Sequence, residues 1–209
     1  MVLQQYHCKF YAAIDREDAM STPPPVRRAD KAMSEERART LLAEGYCGRL
    51  ATIGPDGWPY CVPLLYVAME GEIWVHNTAA RGHLRINADH DARVCFEIDA
   101  PGETFAYGRF ECDSSVAYQS VIAFGRIRIV EDRAAKQKFC EGLMAKYAHA
   151  DWDKGDAARP KGFFPRLDHI TVYAIALERV TGKETPLPAV SDQWPAKDMT
   201  KTPNAAPPR

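Results

Sequence analysis

Apolar positions recur along this chain in two rhythms, one of helical spacing and one of alternation. In 34–45 they fall at Ala38, Leu41 and Leu42, behind Ser34 and the acidic pair Glu35-Glu36. A serine that accepts from free first-turn amides, with carboxylates at the positive end of the helix dipole, predicts a short amphipathic helix ending at Gly45. The rhythm then changes. Residues 47–53 are mostly apolar, Gly54-Pro55-Asp56-Gly57 is turn chemistry, and 59–67 is a second apolar run, so the stretch reads as a hairpin. Glu70-Gly71 predicts a further turn before a strand at 72–76, after which Asn77 or Thr78 offers a cap for a helix reaching about Asn87.

A fourth strand is expected at 93–98. Residues 116–130 interleave β-branched and aromatic side chains with polar ones, the composition of a long strand, with Gly125 marking a bend or bulge. In 132–148, Ala135, Phe139, Leu143 and Tyr147 share one stripe at spacings of four, which predicts a helix lying on a sheet face. Residues 151–165 are irregular, and a last strand spans 169–180. Six or so strands joined mainly by short turns favour a mainly β fold with peripheral helices, an antiparallel barrel rather than alternating β-α-β units.

The ends differ from the middle. Residues 1–33 carry Pro23-Pro24-Pro25 and no sustained periodicity, which suggests an extended arm; Met20 and Met33 are alternative starts. Beyond Lys183 come six of the 15 prolines, so 185–209 reads as a proline-rich tail and 34–184 as the single folded domain. Charge changes the picture little: 27 basic and 28 acidic side chains leave a net −1, so no global field favours nucleic acid or an anionic membrane. The longest uncharged apolar run, 60–69, is half of a bilayer span and contains Pro63, and charged residues interrupt the first twenty positions. Six cysteines without a Cys-x-x-Cys pair, most of them in apolar surroundings, suggest buried reduced thiols and a cytoplasmic protein.

Candidate chemistry concentrates where the third strand gives way to a helix, in Ile73-Trp74-Val75-His76-Asn77-Thr78-Ala79-Ala80-Arg81-Gly82-His83-Leu84-Arg85-Ile86-Asn87. A helix N-terminus presents free amides and partial positive charge to a phosphate. Gly82 would allow close approach of a ligand, and Arg81 and Arg85, four apart, would supply two guanidinium groups to one phosphate. A solvated basic helix face is the alternative reading of these arginines. His83 and His90 could share a helical face, but no third ligand stands at metal spacing. Trp58, Tyr66, Trp74 and Phe96 read as barrel-core or interface aromatics.

Four pieces resemble, in order, the pyridoxamine 5'-phosphate oxidase-related flavin proteins, and among them the nitroimidazole-resistance (Nim) type. They are Gly48-Arg49-Leu50-Ala51-Thr52 with Gly57-Trp58-Pro59-Tyr60 and Pro63-Leu64, the stretch from His76 to Asn87, Tyr118-Gln119-Ser120-Val121-Ile122-Ala123-Phe124-Gly125, and Thr181-Gly182-Lys183-Glu184. The resemblance implies an FMN-binding split β-barrel, Greek-key-like, acting as a homodimeric oxidoreductase on a small organic acceptor, nitroaromatics among the candidates. It places the cofactor phosphate at Asn77, Thr78, Arg81, Gly82, His83 and Arg85 and the flavin edge along the backbone of Val62, Pro63 and Leu64. Tyr118 and Ser120 match the partner subunit's approach to the cofactor, and His76 matches a histidine beside the active site, implied both as a cofactor contact and as a candidate proton donor. The chain departs from pyridoxamine phosphate oxidase proper in having Gly82, not lysine, after Arg81, which argues against pyridoxamine phosphate as substrate. A haem-binding split barrel, or a flavin or deazaflavin carrier without turnover, are the alternative readings.

Overall fold

The computed structural model describes residues 25–106, 113–147 and 164–189. Its elements in order are α1 (Glu35–Glu44), β1 (Gly48–Ile53), β2 (Pro59–Leu64), β3 (Tyr66–Met69), β4 (Glu72–Thr78), α2 (His83–His90), β5 (Arg93–Ala106), β6 (Ser114–Val130), α3 (Arg133–Tyr147) and β7 (Ile170–Thr185). The strands form one sheet in the order β2-β1-β5-β6-β7-β4-β3, with every pairing between them antiparallel.

The expected run over 59–67 is two strands, not one. Leu65 alone separates β2 from β3, yet these two strands are the opposite edges of the sheet. One residue spans only a few ångströms, so the sheet must roll until its two edges meet at that corner. The edges are not paired with each other, and the result is a barrel split along its length.

Rolling gives the sheet an inside and an outside, and strand alternation sorts the side chains between them. Leu50, Tyr66, Ile73, Val75, Phe96, Val121, Tyr173 and Ile175 are fully buried inside, closed over by Ala38 and Leu42 of α1 and Leu84 of α2. Outside, Val67, Trp74, Val172 and Ala174 pack against Phe139 and Cys140 of α3. Ala135 and Leu143 join this second cluster, so the stripe expected on α3 faces the sheet. Trp74, Tyr66 and Phe96 are core residues as expected, whereas Trp58 is 72% exposed at a hairpin tip.

Turn chemistry fixes the register. Gly57 (φ 80°) closes the β1–β2 turn, its N–H donating to the Gly54 carbonyl, while the Gly54 N–H donates to Trp58 O. Glu70 and Gly71, both at positive φ, form the two-residue turn between β3 and β4 that matches the twist of a hairpin. The irregularity expected at Gly125 is present: the β6–β7 register shifts between Phe124 and Gly125. A Cβ there would lie 2.2 Å from the Ala176 carbonyl oxygen, so only glycine fits.

Several boundaries move. The strand expected at 93–98 continues to Ala106, pairing with a β6 that starts at Ser114, because a shift between Pro101 and Thr104 lets the ladder resume. The last strand continues past Val180 to Thr185. The expected arm of 1–33 is not wholly separate, since the Met33 N–H donates to Gly182 O and Ala32 bridges Lys183. The irregular stretch at 151–165 and most of the tail fall largely outside the described residues. Among described residues no helix is long and apolar enough to cross a membrane.

Candidate anion and cofactor site

The helix expected from Asn77 or Thr78 starts later. Asn77 and Thr78 complete β4, whose register with β7 runs to Thr78, and Gly82 is the residue before α2. The ladder hydrogen bonds to Thr171 and Ile170 win over side-chain capping, so Arg81 stands in the connection and Arg85 on the helix. They still converge. Arg81 Nη2 lies 3.0 Å from Asp89 Oδ2 and Arg85 Nε 3.2 Å from Asp89 Oδ1, so two guanidinium groups share one carboxylate. Asp89 was not among the residues singled out above, although its spacing of four from Arg85 is an ion-pair signal.

The start of α2 has no capping side chain. Its first intrahelical bond is Ile86 N–H to Gly82 O, which leaves the amides of His83, Leu84 and Arg85 without a helical acceptor. A Cβ at Gly82 would meet no atom within 4 Å, so the approach to these amides is open. With the two arginines this end of the helix carries net positive charge beyond what Asp89 neutralises.

Buried polar contacts hold α2 in place. Asn87 Nδ2 donates to Thr52 Oγ1 at 2.9 Å, and Thr52 Oγ1 lies 3.4 Å from the Tyr60 carbonyl, with both side chains almost fully buried. These links tie α2 to β1 and β2. At the other end of α2 the His83 ring lies 5.3 Å from that of Tyr60, so β2 and the positive helix start are neighbours.

The register decides which backbone groups of β2 are free. The Gly54–Trp58 bond sets the parity, and the pairs Thr52↔Tyr60, Leu50↔Val62 and Gly48↔Leu64 follow it. Val62 and Leu64 therefore spend their N–H and C=O groups on β1, while Pro59, Cys61 and Pro63 face outward. Since proline has no N–H, this part of the free edge offers one amide, that of Cys61, among three carbonyls. Cys61 is exposed, contrary to the expectation of buried thiols, because it sits on the outer face of an edge strand; Cys140 is buried, and Cys47 and Cys95 are half-buried. Burial raises the thiol pKa of Cys95 and Cys140.

His76 lies elsewhere. Asn77 accepts from the Tyr173 hydroxyl at 3.3 Å toward the barrel interior, so its neighbour His76 points to the other face of β4. There its ring lies 5.5 Å from that of Phe139, and its Nδ1 is buried with no hydrogen-bond partner among the described residues. Burial lowers its pKa, which favours neutral imidazole. Tyr118 and Ser120 are also apart from the arginines. β6 meets the residue after α2 only late in its course, through the Ile127 N–H to Ala92 O bond, and Ser120 is seven residues earlier on the strand, roughly 20 Å from Ile127 at strand rise. Ser120 instead borders a cleft of about 300 Å³ at the C-terminal end of α1.

The model of the pyridoxamine 5'-phosphate oxidase family matches residues 34–184. The chain belongs to this family. Among solved structures, family-like folds recur at low identity. A candidate 5-nitroimidazole antibiotic resistance protein from Bacteroides thetaiotaomicron is 18% identical, with 73% of this chain and 85% of that chain covered and a TM-score of 0.58. A protein from Mycobacterium smegmatis described as binding FAD and haem is 22% identical, with 78% of each chain covered and a TM-score of 0.59. An FAD-binding protein from Mesorhizobium loti is 22% identical, with 74% and 97% covered and a TM-score of 0.54. Among curated proteins no significant match is found. At these identities the structures establish the family's split-barrel fold, while this chain's own residues carry any argument about its site.

Proposed function

We propose that this chain is a flavin-binding oxidoreductase that works as a cytoplasmic homodimer and passes electrons to a small organic acceptor, nitroaromatic compounds among the candidates. The observation that carries the reading is the contact of Tyr60 with His83, which sets the free edge of β2 beside an uncapped helix start flanked by Arg81 and Arg85. Those features fit a planar heterocycle bearing a phosphate. Arg81, Arg85 and the first α2 amides would hold the phosphate, and the Cys61 N–H and C=O would meet a donor–acceptor edge of the ring. A bound flavin would supply the electron transfer; the chain itself supplies orientation and a positive field that favours the anionic, reduced form. Tyr118 and Ser120, farther back on β6 than its contact with the residue after α2, would join the site from a second copy.

The relatives described as FAD- or haem-binding keep the cofactor question open to test. The experiment is the ultraviolet-visible spectrum of purified protein, alone and after FMN, FAD, a deazaflavin or haemin is added and free ligand removed. Retained FMN or FAD absorbance, lost in Arg81→Ala, is the expected result. A Soret band with no flavin retention would overturn the flavin assignment in favour of haem. Retained flavin without turnover by any donor would make the protein a carrier.

A further inference from the structure

Trp58 has no role in the core or in the site above. It is 72% exposed, yet its backbone is fixed: its N–H donates to Asp56 Oδ1 at 3.0 Å and its carbonyl accepts from the Gly54 N–H at 3.0 Å. The hairpin tip therefore holds a large aromatic ring out in water, where its bare faces gain nothing until something covers them. The side on which it stands is set by its neighbours. A Cβ at Gly54, opposite Trp58, would lie 3.3 Å from Asn87 Oδ1, so this face of the tip is the one α2 approaches. The next register pair faces the same way, Thr52 toward Asn87 and Tyr60 toward the His83 ring. Alternation puts Trp58 and Tyr60 on one side of the chain, their Cα atoms about 7 Å apart.

Along this strand the order is then Trp58, Tyr60 beside the start of α2, and Cys61 to Pro63 on the free edge. The helix start, where a phosphate would sit, divides the edge that would meet a flavin ring from an aromatic shelf of Trp58, Tyr60 and the exposed His83, the last two tilted by only 32°. A flavin mononucleotide would end at the arginines and leave Trp58 bare. Asp56, the one charged side chain between Gly54 and Tyr60, already accepts from the Trp58 N–H, so the shelf suits an uncharged planar group.

We propose that this shelf takes the adenine base of a flavin dinucleotide, stacked on Trp58, so that the chain selects FAD, stretched along β2 with its pyrophosphate at the start of α2, over FMN. The inference rests on the flavin reading and says which flavin the site takes. Full-length protein freed of cofactor is titrated calorimetrically with FMN and with FAD. The two carry nearly the same charge at neutral pH, so the difference between them reads the adenosine. FAD should bind about tenfold more tightly, the scale of one base stacked on an aromatic side chain. Trp58→Ala should bring FAD to the affinity of FMN while leaving FMN unchanged within about twofold, and Trp58→Phe should keep most of the preference. A urea melt of each variant checks that the exposed substitution leaves stability as it was. FAD no tighter than FMN, FAD affinity unchanged in Trp58→Ala, or equal losses of FMN and FAD in that variant would each overturn the proposal while leaving the flavin reading in place. Binding of neither flavin to the wild-type chain would overturn both.

Discussion

Helix α2 begins beside the free edge of β2, and helix α1 ends beside the far stretches of β5 and β6; the two ends are electrostatic opposites. At the first, two arginines and uncapped amides outweigh a single aspartate. At the second, Glu44 and Asp99 stand with a helix C-terminus, and cations of the protein answer them, Arg49 at Asp99 and Lys146 at the last turn. The ends also differ in how their backbone groups are satisfied. Three carbonyls from the last turn of α1 have partners: Leu41 O takes the Gly45 N–H, Leu42 O the Tyr66 hydroxyl and Ala43 O the Lys146 ammonium. The start of α2 has no such provision from side chains. A helix end whose polar groups are filled by the protein is built for stability, and one left open can serve a ligand.

The largest effect should come from emptying the open end. Arg81→Ala combined with Arg85→Ala is expected to raise the Kd for FMN by about a hundredfold or more, since a hydrogen bond to a charged group is worth about 1.5–3 kcal/mol. Fluorescence quenching of FMN on titration reads this, and unchanged affinity would remove the basis of the site. Next is the anchor that keeps α2 against β1 and β2. Asn87→Leu takes the amide donor from the buried Thr52 hydroxyl, which should cost about 1–3 kcal/mol in a urea melt. It should also weaken FMN without touching a charged group, a combination that separates placement of the helix start from its charge.

Much of this arrangement was legible in the sequence, for reasons that differ by element. The turns at Gly54-Pro55-Asp56-Gly57 and Glu70-Gly71, the irregularity at Gly125 and the stripe on α3 are local chemistry, and each stands where the pattern put it. The division of 59–67 into β2 and β3 was not legible, because Leu64, Leu65 and Tyr66 are continuous in apolar character and the break is imposed by rolling of the sheet. The helix start at His83 was misread because Asn77 and Thr78 are good caps in isolation, while their pairing with β7 is a contact made across more than ninety residues. Spacing and resemblance both pointed to the arginines, and neither to Asp89, their shared counter-ion.

That counter-ion allows a finer test. Asp89→Asn removes the one carboxylate both arginines face, leaving them free for an anion at the cost of two partly exposed ion pairs. FMN affinity should rise about two- to threefold, in keeping with surface pairs worth less than 1 kcal/mol each, and the gain should shrink in high salt. A fall in affinity would mean that Asp89 is needed to hold the guanidinium groups in place.

The smallest expected effect concerns a residue that belongs to neither end. His76 lies across β4 from Asn77, against Phe139, and burial depresses its pKa below the ordinary value of 6.5. The unfolded chain therefore binds a proton more readily than the native one, so stability is intact above pH 6.5 and falls as acid carries the solution down toward the native pKa. His76→Leu should flatten that part of the acid slope in melts taken between pH 7 and 5, while leaving the neutral-pH fold in place. The same variant sets the geometry against the resemblance, which puts this histidine beside the cofactor. Unchanged FMN affinity would place His76 in the α3 interface as a packing residue, and a tenfold loss would mean that the strand between it and the arginines does not separate their roles.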